Sequence, residues 1–203
     1  MAPTIVYLHG FRSSPASTKA SRLREAVAAL PDAVRPVLRI PALDPWPGKA
    51  MAAILDAAGG TEPGSLAFVG SSLGGYYATF AAERLGARAV LVNPAVRPCE
   101  DLRPYRGTQV NLHTGASFEV TDAHFAQLLA LRVPRITRPE RYLLLVQTGD
   151  EVLDYREAVR FYARAWQLVE GGGDHGYAGF EARIPALLRF CGVDVPPGFV
   201  QRN

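Results

Sequence analysis

Leu66-Ala67-Phe68-Val69-Gly70-Ser71-Ser72-Leu73-Gly74-Gly75-Tyr76-Tyr77-Ala78 decides how the rest of this chain is read. It runs from an apolar, strand-like stretch, through a G-x-S-x-G pentapeptide, into a helix-like stretch that continues to Leu85. A serine at the centre of such a strand-to-helix turn is held in a strained backbone conformation, with its hydroxyl alone above the end of the sheet. Gly70 and Gly74 are the positions where strand and helix approach too closely for a Cβ. Read blandly, the same residues are a Gly/Ser turn in which Ser71 or Ser72 only caps a helix. What separates the two readings is whether a base and an acid follow downstream.

Outward from this segment the chain alternates. Strand-like runs fall at Thr4 to Leu8, Val37 to Ile40, Leu66 to Val69, Ala89 to Val92, Arg141 to Gln147 and Gln167 to Val169. Helical spacing covers Ser17 to Leu30, Lys49 to Ala58, the segment after Gly74, Tyr155 to Ala165 and Gly179 to Cys191. Strands separated by helices predict a mostly parallel sheet of about six strands covered on both faces, an α/β fold of three layers. The rhythm breaks over residues 94–138, rich in Pro, Gly, Thr and Arg with one helix expected around Thr121 to Leu131; this insertion reads as a cap within a single domain spanning 1–203. The proline-rich tail after Cys191 is expected to be loosely held.

Length and composition set outer limits. The 203 residues are 48% hydrophobic and 20% charged, ordinary for a globular domain. The net charge is +3, and only Lys19 and Lys49 are lysines. The arginines are scattered with no basic run, which argues against nucleic acid as a partner. No apolar run approaches the length that spans a membrane. Ile5-Val6-Tyr7-Leu8 followed by His9-Gly10 is a strand rather than a signal peptide. Cys99 and Cys191 show no metal-type spacing and read as free thiols, so the expected location is cytoplasmic.

The chemistry-bearing residues gather at carboxyl ends of the expected strands, where parallel sheets place their sites. A serine hydroxyl needs a positioned base. Of His9, His113, His124 and His175, the last lies in a glycine-rich loop, Gly171-Gly172-Gly173-Asp174-His175-Gly176, after the sixth strand. The acid that orients it is expected at Asp150, in the turn after the fifth strand; Asp154 is the alternative, with an N-cap role of its own before Tyr155. The chain order Ser72, Asp150, His175 is the nucleophile–acid–histidine order of one hydrolase fold. Backbone N–H groups of Leu73, after the serine, and of Phe11, in the first loop, are the expected oxyanion donors. Arg97 and Tyr76 are candidate substrate contacts, Arg97 toward a carboxylate or phosphate. Asn93, which cannot ionise, stands where some relatives of this architecture place the acid.

Together these residues resemble the α/β-hydrolase superfamily and, more narrowly, the YqiA-like small bacterial esterases. The resemblance is carried by Tyr7-Leu8-His9-Gly10-Phe11 with Ser13-Ser14-Pro15, by Val69 to Thr79, by Val92-Asn93-Pro94-Ala95-Val96-Arg97-Pro98, by Gln147 to Arg156, and by Glu170-Gly171-Gly172 with His175 and Gly179-Phe180-Glu181. It implies a compact hydrolase without the first two strands of larger relatives, acting on small-molecule acyl esters or thioesters with no metal and no organic cofactor. A catalytically silent ligand-binding protein on the same fold, and a peptidase using the same residues, are the alternatives. The insertion matches least well, and an additional Gly-Asp precedes His175.

Overall fold

The computed structural model describes residues 2–199. Strands β1 (Thr4–Leu8), β2 (Val37–Arg39), β3 (Leu66–Ser71) and β4 (Arg88–Val92) alternate with helices α1 (Thr18–Ala28), α2 (Pro47–Ala58) and α3 (Leu73–Leu85). The insertion contributes a one-turn helix α4 (Pro98–Asp101), an antiparallel hairpin β5 (Gly107–Val110) with β6 (Ser117–Val120), and α5 (Asp122–Ala130). Then follow β7 (Tyr142–Gln147), α6 (Tyr155–Phe161), β8 (Trp166–Glu170) and α7 (Ile184–Phe190). The main sheet has the order β2-β1-β3-β4-β7-β8, and every pairing in it is parallel.

The central strands read as unbroken apolar runs because both faces are covered. Ile5, Tyr7, Ala67, Val69, Val90, Val92 and Leu145 pack beneath α1 and α7, whereas Val6, Leu8, Phe68, Leu91, Leu144 and Val146 pack beneath α2, α3 and α6. Successive side chains of one strand thus enter different cores, as the two-residue period requires. From β1 the chain winds outward to β2, then returns across β1 to β3 and winds the other way. Neighbouring β1 and β3 therefore form the point where the winding reverses, the place at which parallel sheets open a crevice.

Three expectations are corrected here. The hairpin within residues 94–138 has no counterpart in the sequence reading, because its strands are only four residues each and just Val120 among them is buried. The expected final helix, Gly179 to Cys191, is a 3₁₀ turn at Phe180–Arg183 followed by the shorter α7; the left-handed Gly179 and Pro185 near its start divide it. The tail is better held than expected: Val193 and Val195 are buried in the core under α1 and α7. Residues 200–203 of that tail lie outside the described residues.

The insertion is stitched to the body by specific contacts. Leu112 N donates to Arg12 O (2.9 Å) and Asn111 Nδ2 to Ser13 O (2.8 Å), so the hairpin rests on the loop after β1. Helix α5 is held by the Tyr76 hydroxyl, which donates to Leu128 O at 2.6 Å, and by Trp46 stacked on His124 with ring centroids 3.7 Å apart. The Tyr76 bond is buried, and Tyr76→Phe removes it, leaving Leu128 O with only the Leu131 amide at 3.0 Å. We expect it to cost about 1–2 kcal/mol. Hydrogen exchange should show the added opening concentrated in α5, alongside a matching loss in chemical denaturation.

Candidate active site

Ser72 lies between β3 and α3 at φ 55° and ψ −125°, a left-handed backbone that a non-glycine residue adopts only when its surroundings enforce it. The surroundings are visible. Ser72 N donates to Val92 O (3.1 Å), while Ser72 O accepts from Gly75 N (2.9 Å) and Ala95 N (3.1 Å). With its backbone locked, the side chain is left to project. A Cβ on Gly74 would overlap the Leu8 carbonyl and stand 2.7 Å from His9 O, and one on Gly70 would stand 2.7 Å from Gly75 Cα. The glycines are therefore what lets β3, α3 and the loop after β1 meet.

Asp150 and His175 arrive from the carboxyl ends of β7 and β8. His175 Nδ1 lies 2.9 and 3.0 Å from the two Asp150 carboxylate oxygens, and His175 Nε2 lies 3.1 Å from Ser72 Oγ. An ionised carboxylate only accepts, so Nδ1 carries the proton toward Asp150. In the neutral ring Nε2 then presents its lone pair to the Ser72 hydroxyl. Asp150 also accepts from the amides of Val152 and Leu153, each at 2.9 Å, and its side chain is 1% exposed. Burial alone would raise this carboxyl. The bonds from His175 and the two amides outweigh it and hold the group below the usual carboxylate range.

That shift carries a pH prediction. A carboxyl whose folded-state pKa lies below its unfolded value stabilises the fold above the ordinary carboxylate range, and this contribution is lost as pH falls through the folded value. Denaturant titrations should therefore show wild type and Asp150→Asn differing most near neutrality and converging under acid. Turnover of Asp150→Asn should fall by about 10²–10⁴-fold, because an amide also satisfied by the wrong imidazole tautomer no longer holds Nδ1–H in place.

The other sequence candidates separate cleanly. Asp154 is an N-cap, accepting from Arg156 N at 3.0 Å. His9 is buried and accepts from Leu43 N at 3.2 Å through Nε2. His124 is engaged in the capping box that starts α5. Only His113, at the tip of the β5–β6 hairpin, reaches the wall of the cavity containing Ser72. Arg97 and Tyr76 are not brought to that cavity. Arg97 is paired with Glu157 and, at 3.0 Å, with Glu100; Tyr76 is the α5 anchor described above. The expected oxyanion donors sit on the two segments that adjoin Ser72. Leu73 opens α3, where first-turn amides have no intrahelical acceptor. The Phe11 amide has no acceptor among the described residues, and the preceding Gly10 is packed so that a Cβ there would lie 3.5 Å from Ser72 Oγ.

Ser72 and His175 open on a cavity of about 460 Å³ shared with Gly10, Phe11, Lys19 and His113. Lys19 escaped the sequence reading, although it is one of only two lysines. Its ammonium donates to Gly176 O at 2.8 Å, beside His175. Burial lowers its pKa from the ordinary lysine value, opposed by the charges of Asp174 and Asp150. Among the described residues no cluster of His, Cys, Asp or Glu is arranged to hold a metal ion, and no helix is long and apolar enough to cross a membrane.

The family model described as uncharacterised protein family UPF0227 matches residues 4–192. The chain belongs to this family. Solved structures agree on the architecture of this UPF0227 member. The mouse α/β hydrolase domain-containing protein 10 superposes with a TM-score of 0.68 at 16% identity, covering 95% of this chain and 88% of its own. Est1E of Butyrivibrio proteoclasticus superposes with a TM-score of 0.67 at 15% identity, covering 94% and 89%. The esterase domain of a Rhodothermus marinus protein gives 0.62 at 14% identity, covering 93% and 84%. At such identities the likeness shows the fold, and the fold of this UPF0227 chain is that of an α/β-hydrolase.

Proposed function

We propose that this protein is a serine hydrolase that cleaves carboxylic esters or acyl thioesters. The observation that supports it most is the unbroken hydrogen-bonded line from Asp150 through His175 to Ser72 Oγ, with Ser72 facing an open cavity. In this reading Ser72 Oγ attacks the acyl carbonyl carbon while His175 Nε2 takes its proton. Asp150 keeps the ring oriented and stabilises the imidazolium. Charge developing on the carbonyl oxygen is met by the amides of Leu73 and Phe11. His175 then returns the proton to the departing alcohol or thiol, leaving an acyl-enzyme on Ser72. Water, deprotonated by the same imidazole, releases the acid. No step needs a metal or an organic cofactor. Solved neighbours whose names state an activity include an esterase domain and lipolytic enzymes, in keeping with this class. The unpaired Cys99 and Cys191 suit a reducing, cytoplasmic setting.

The test is a panel of chromogenic acyl esters of increasing chain length, with matched thioesters and amides, together with labelling by a fluorophosphonate that traps activated serines. Ester or thioester turnover with label on Ser72 is the expected result. Turnover of amides in preference to esters would make it a peptidase. A folded protein that neither labels nor turns over any acyl substrate would make it a binding protein.

A further inference from the structure

We infer that Asn93 is a positioning residue for His175: its side-chain amide ties the carboxyl ends of β4 and β7 to the loop carrying the imidazole, and so sets where Nε2 meets Ser72. The inference rests on the serine hydrolase reading above. Asn93 directly follows β4, and its N–H donates to Leu145 O at 2.9 Å, so its backbone still continues the sheet. It then turns at φ 41°, a left-handed conformation that asparagine tolerates better than most non-glycine residues. The residue is 2% exposed, and both ends of its side chain are used. Oδ1 accepts from Gln147 N at 3.1 Å, and Nδ2 donates to Asp174 O at 2.9 Å and His175 O at 3.3 Å. Backbone N–H on one side and carbonyls on the other fix which way the amide faces. A carboxylate of the same shape would set an oxygen against two carbonyl oxygens.

The start of the His175 loop is tied to the turn after β7, Gly149 N donating to Gly172 O (2.8 Å) and Gly172 N to Thr148 Oγ1 (2.9 Å), but these bonds stop three residues short of His175. Residues 171–174 are exposed, and Gly172 and Gly173 turn at φ 72° and 73°. Its fastenings are polar. Gln147 Oε1 accepts from Asp174 N (3.2 Å), Glu151 from His175 N (2.9 Å), and Lys19 donates to Gly176 O (2.8 Å). Glu151 is exposed and Lys19 half-buried, where water competes for their bonds. Gln147 is buried and also donates to Ala178 O at 2.8 Å, but neither of its bonds reaches His175 itself. Asn93 is the buried group that holds His175's own carbonyl, and it is anchored in turn to the strand end from which Asp150 departs. It therefore registers base against acid. Displacing a reacting group by about 1 Å costs on the order of 10²-fold in rate.

Two variants test this. Asn93→Gly removes the side chain while keeping the left-handed backbone easy to adopt; Asn93→Asp keeps the volume and the acceptor but, in mildly alkaline buffer, lacks the donor. Each is read by ester kinetics and by the downfield proton resonance of His175 Nδ1–H in its bond to Asp150, assigned by its disappearance in Asp150→Asn. Both variants are expected to remain folded, lose about 10²-fold in kcat with KM changed less than about threefold, and broaden or lose that resonance. A role confined to ending β4 predicts lowered stability with kcat within about twofold of wild type and the resonance unmoved; that result would overturn the inference. If Asn93→Gly fails to fold, Asn93→Asp decides alone. If wild type turns over no ester, thioester or amide and Ser72 takes no label, the hydrolase reading falls on that result, while the resonance still decides whether Asn93 places His175.

Discussion

Ser72→Ala is expected to lower kcat on any ester the protein turns over by at least about 10⁴-fold while leaving the fold intact. Among the described residues Ser72 Oγ has one partner, His175 Nε2, and its loss frees that ring edge to bind water in the cavity. The backbone bonds that hold the elbow, from Val92, Gly75 and Ala95, involve only main-chain atoms of Ser72 and survive the substitution. Alanine tolerates the left-handed φ of 55° no better than serine does, so that term is unchanged. The melting temperature should therefore shift by no more than about 2 °C, corresponding to less than roughly 1 kcal/mol. Kinetics with label incorporation, beside thermal unfolding, check both halves. Turnover within tenfold of wild type would remove the serine from the mechanism.

Gly74→Ala should act on the opposite axis. The new Cβ would overlap the Leu8 carbonyl and crowd His9 O, both backbone atoms that cannot rotate away. Relief requires α3 to separate from the end of β1, at the seam where Ser72 and the Phe11 loop meet. The cost is expected to be about 3 kcal/mol or more, despite alanine's better helix propensity, and to lower the melting temperature by roughly 6–12 °C. Any folded fraction should also turn over poorly, since the same separation moves the Phe11 amide from Ser72. Gly64→Ala is the control: nothing lies within 4 Å of a Cβ there, and no stability loss is expected. Equal stability of the two variants would refute the close-packing account of the elbow.

Much of this molecule is legible locally. The strand and helix around Ser72 are called for by residues within a few positions of it, and so are the turns that carry Asp150 and His175. Each is an apolar run ended by Gly, Asp or Asn, and parallel winding brings such ends to one edge. The six-stranded sheet and the helix over Asp122–Ala130 follow from that kind of pattern. The hairpin does not, because each of its strands is only four residues long, and the polar–apolar alternation of Ser117-Phe118-Glu119-Val120 is too short to announce a strand. Arg97 looked available because its partner Glu157 is 60 residues away; Tyr76 looked available because Leu128 is 52 away. An isolated polar residue after a strand, Asn93 before Pro94, was the one available hint of the tether on the His175 loop.

By itself, then, the sequence determined the parallel three-layer architecture and the chain order of Ser72, Asp150 and His175, since both depend on hydrophobic periodicity and turn chemistry acting over short spans. The tertiary structure alone decided which side chains face the cavity and which are consumed in holding the protein together. Lys19 and His113 were brought to its wall, Tyr76 and Arg97 were taken elsewhere, and Asn93 was turned onto His175. Those outcomes depend on hydrogen bonds between residues 50 to 160 positions apart, such as Lys19 to Gly176, 157 residues on; local spacing carries no record of them until the sheet is wound.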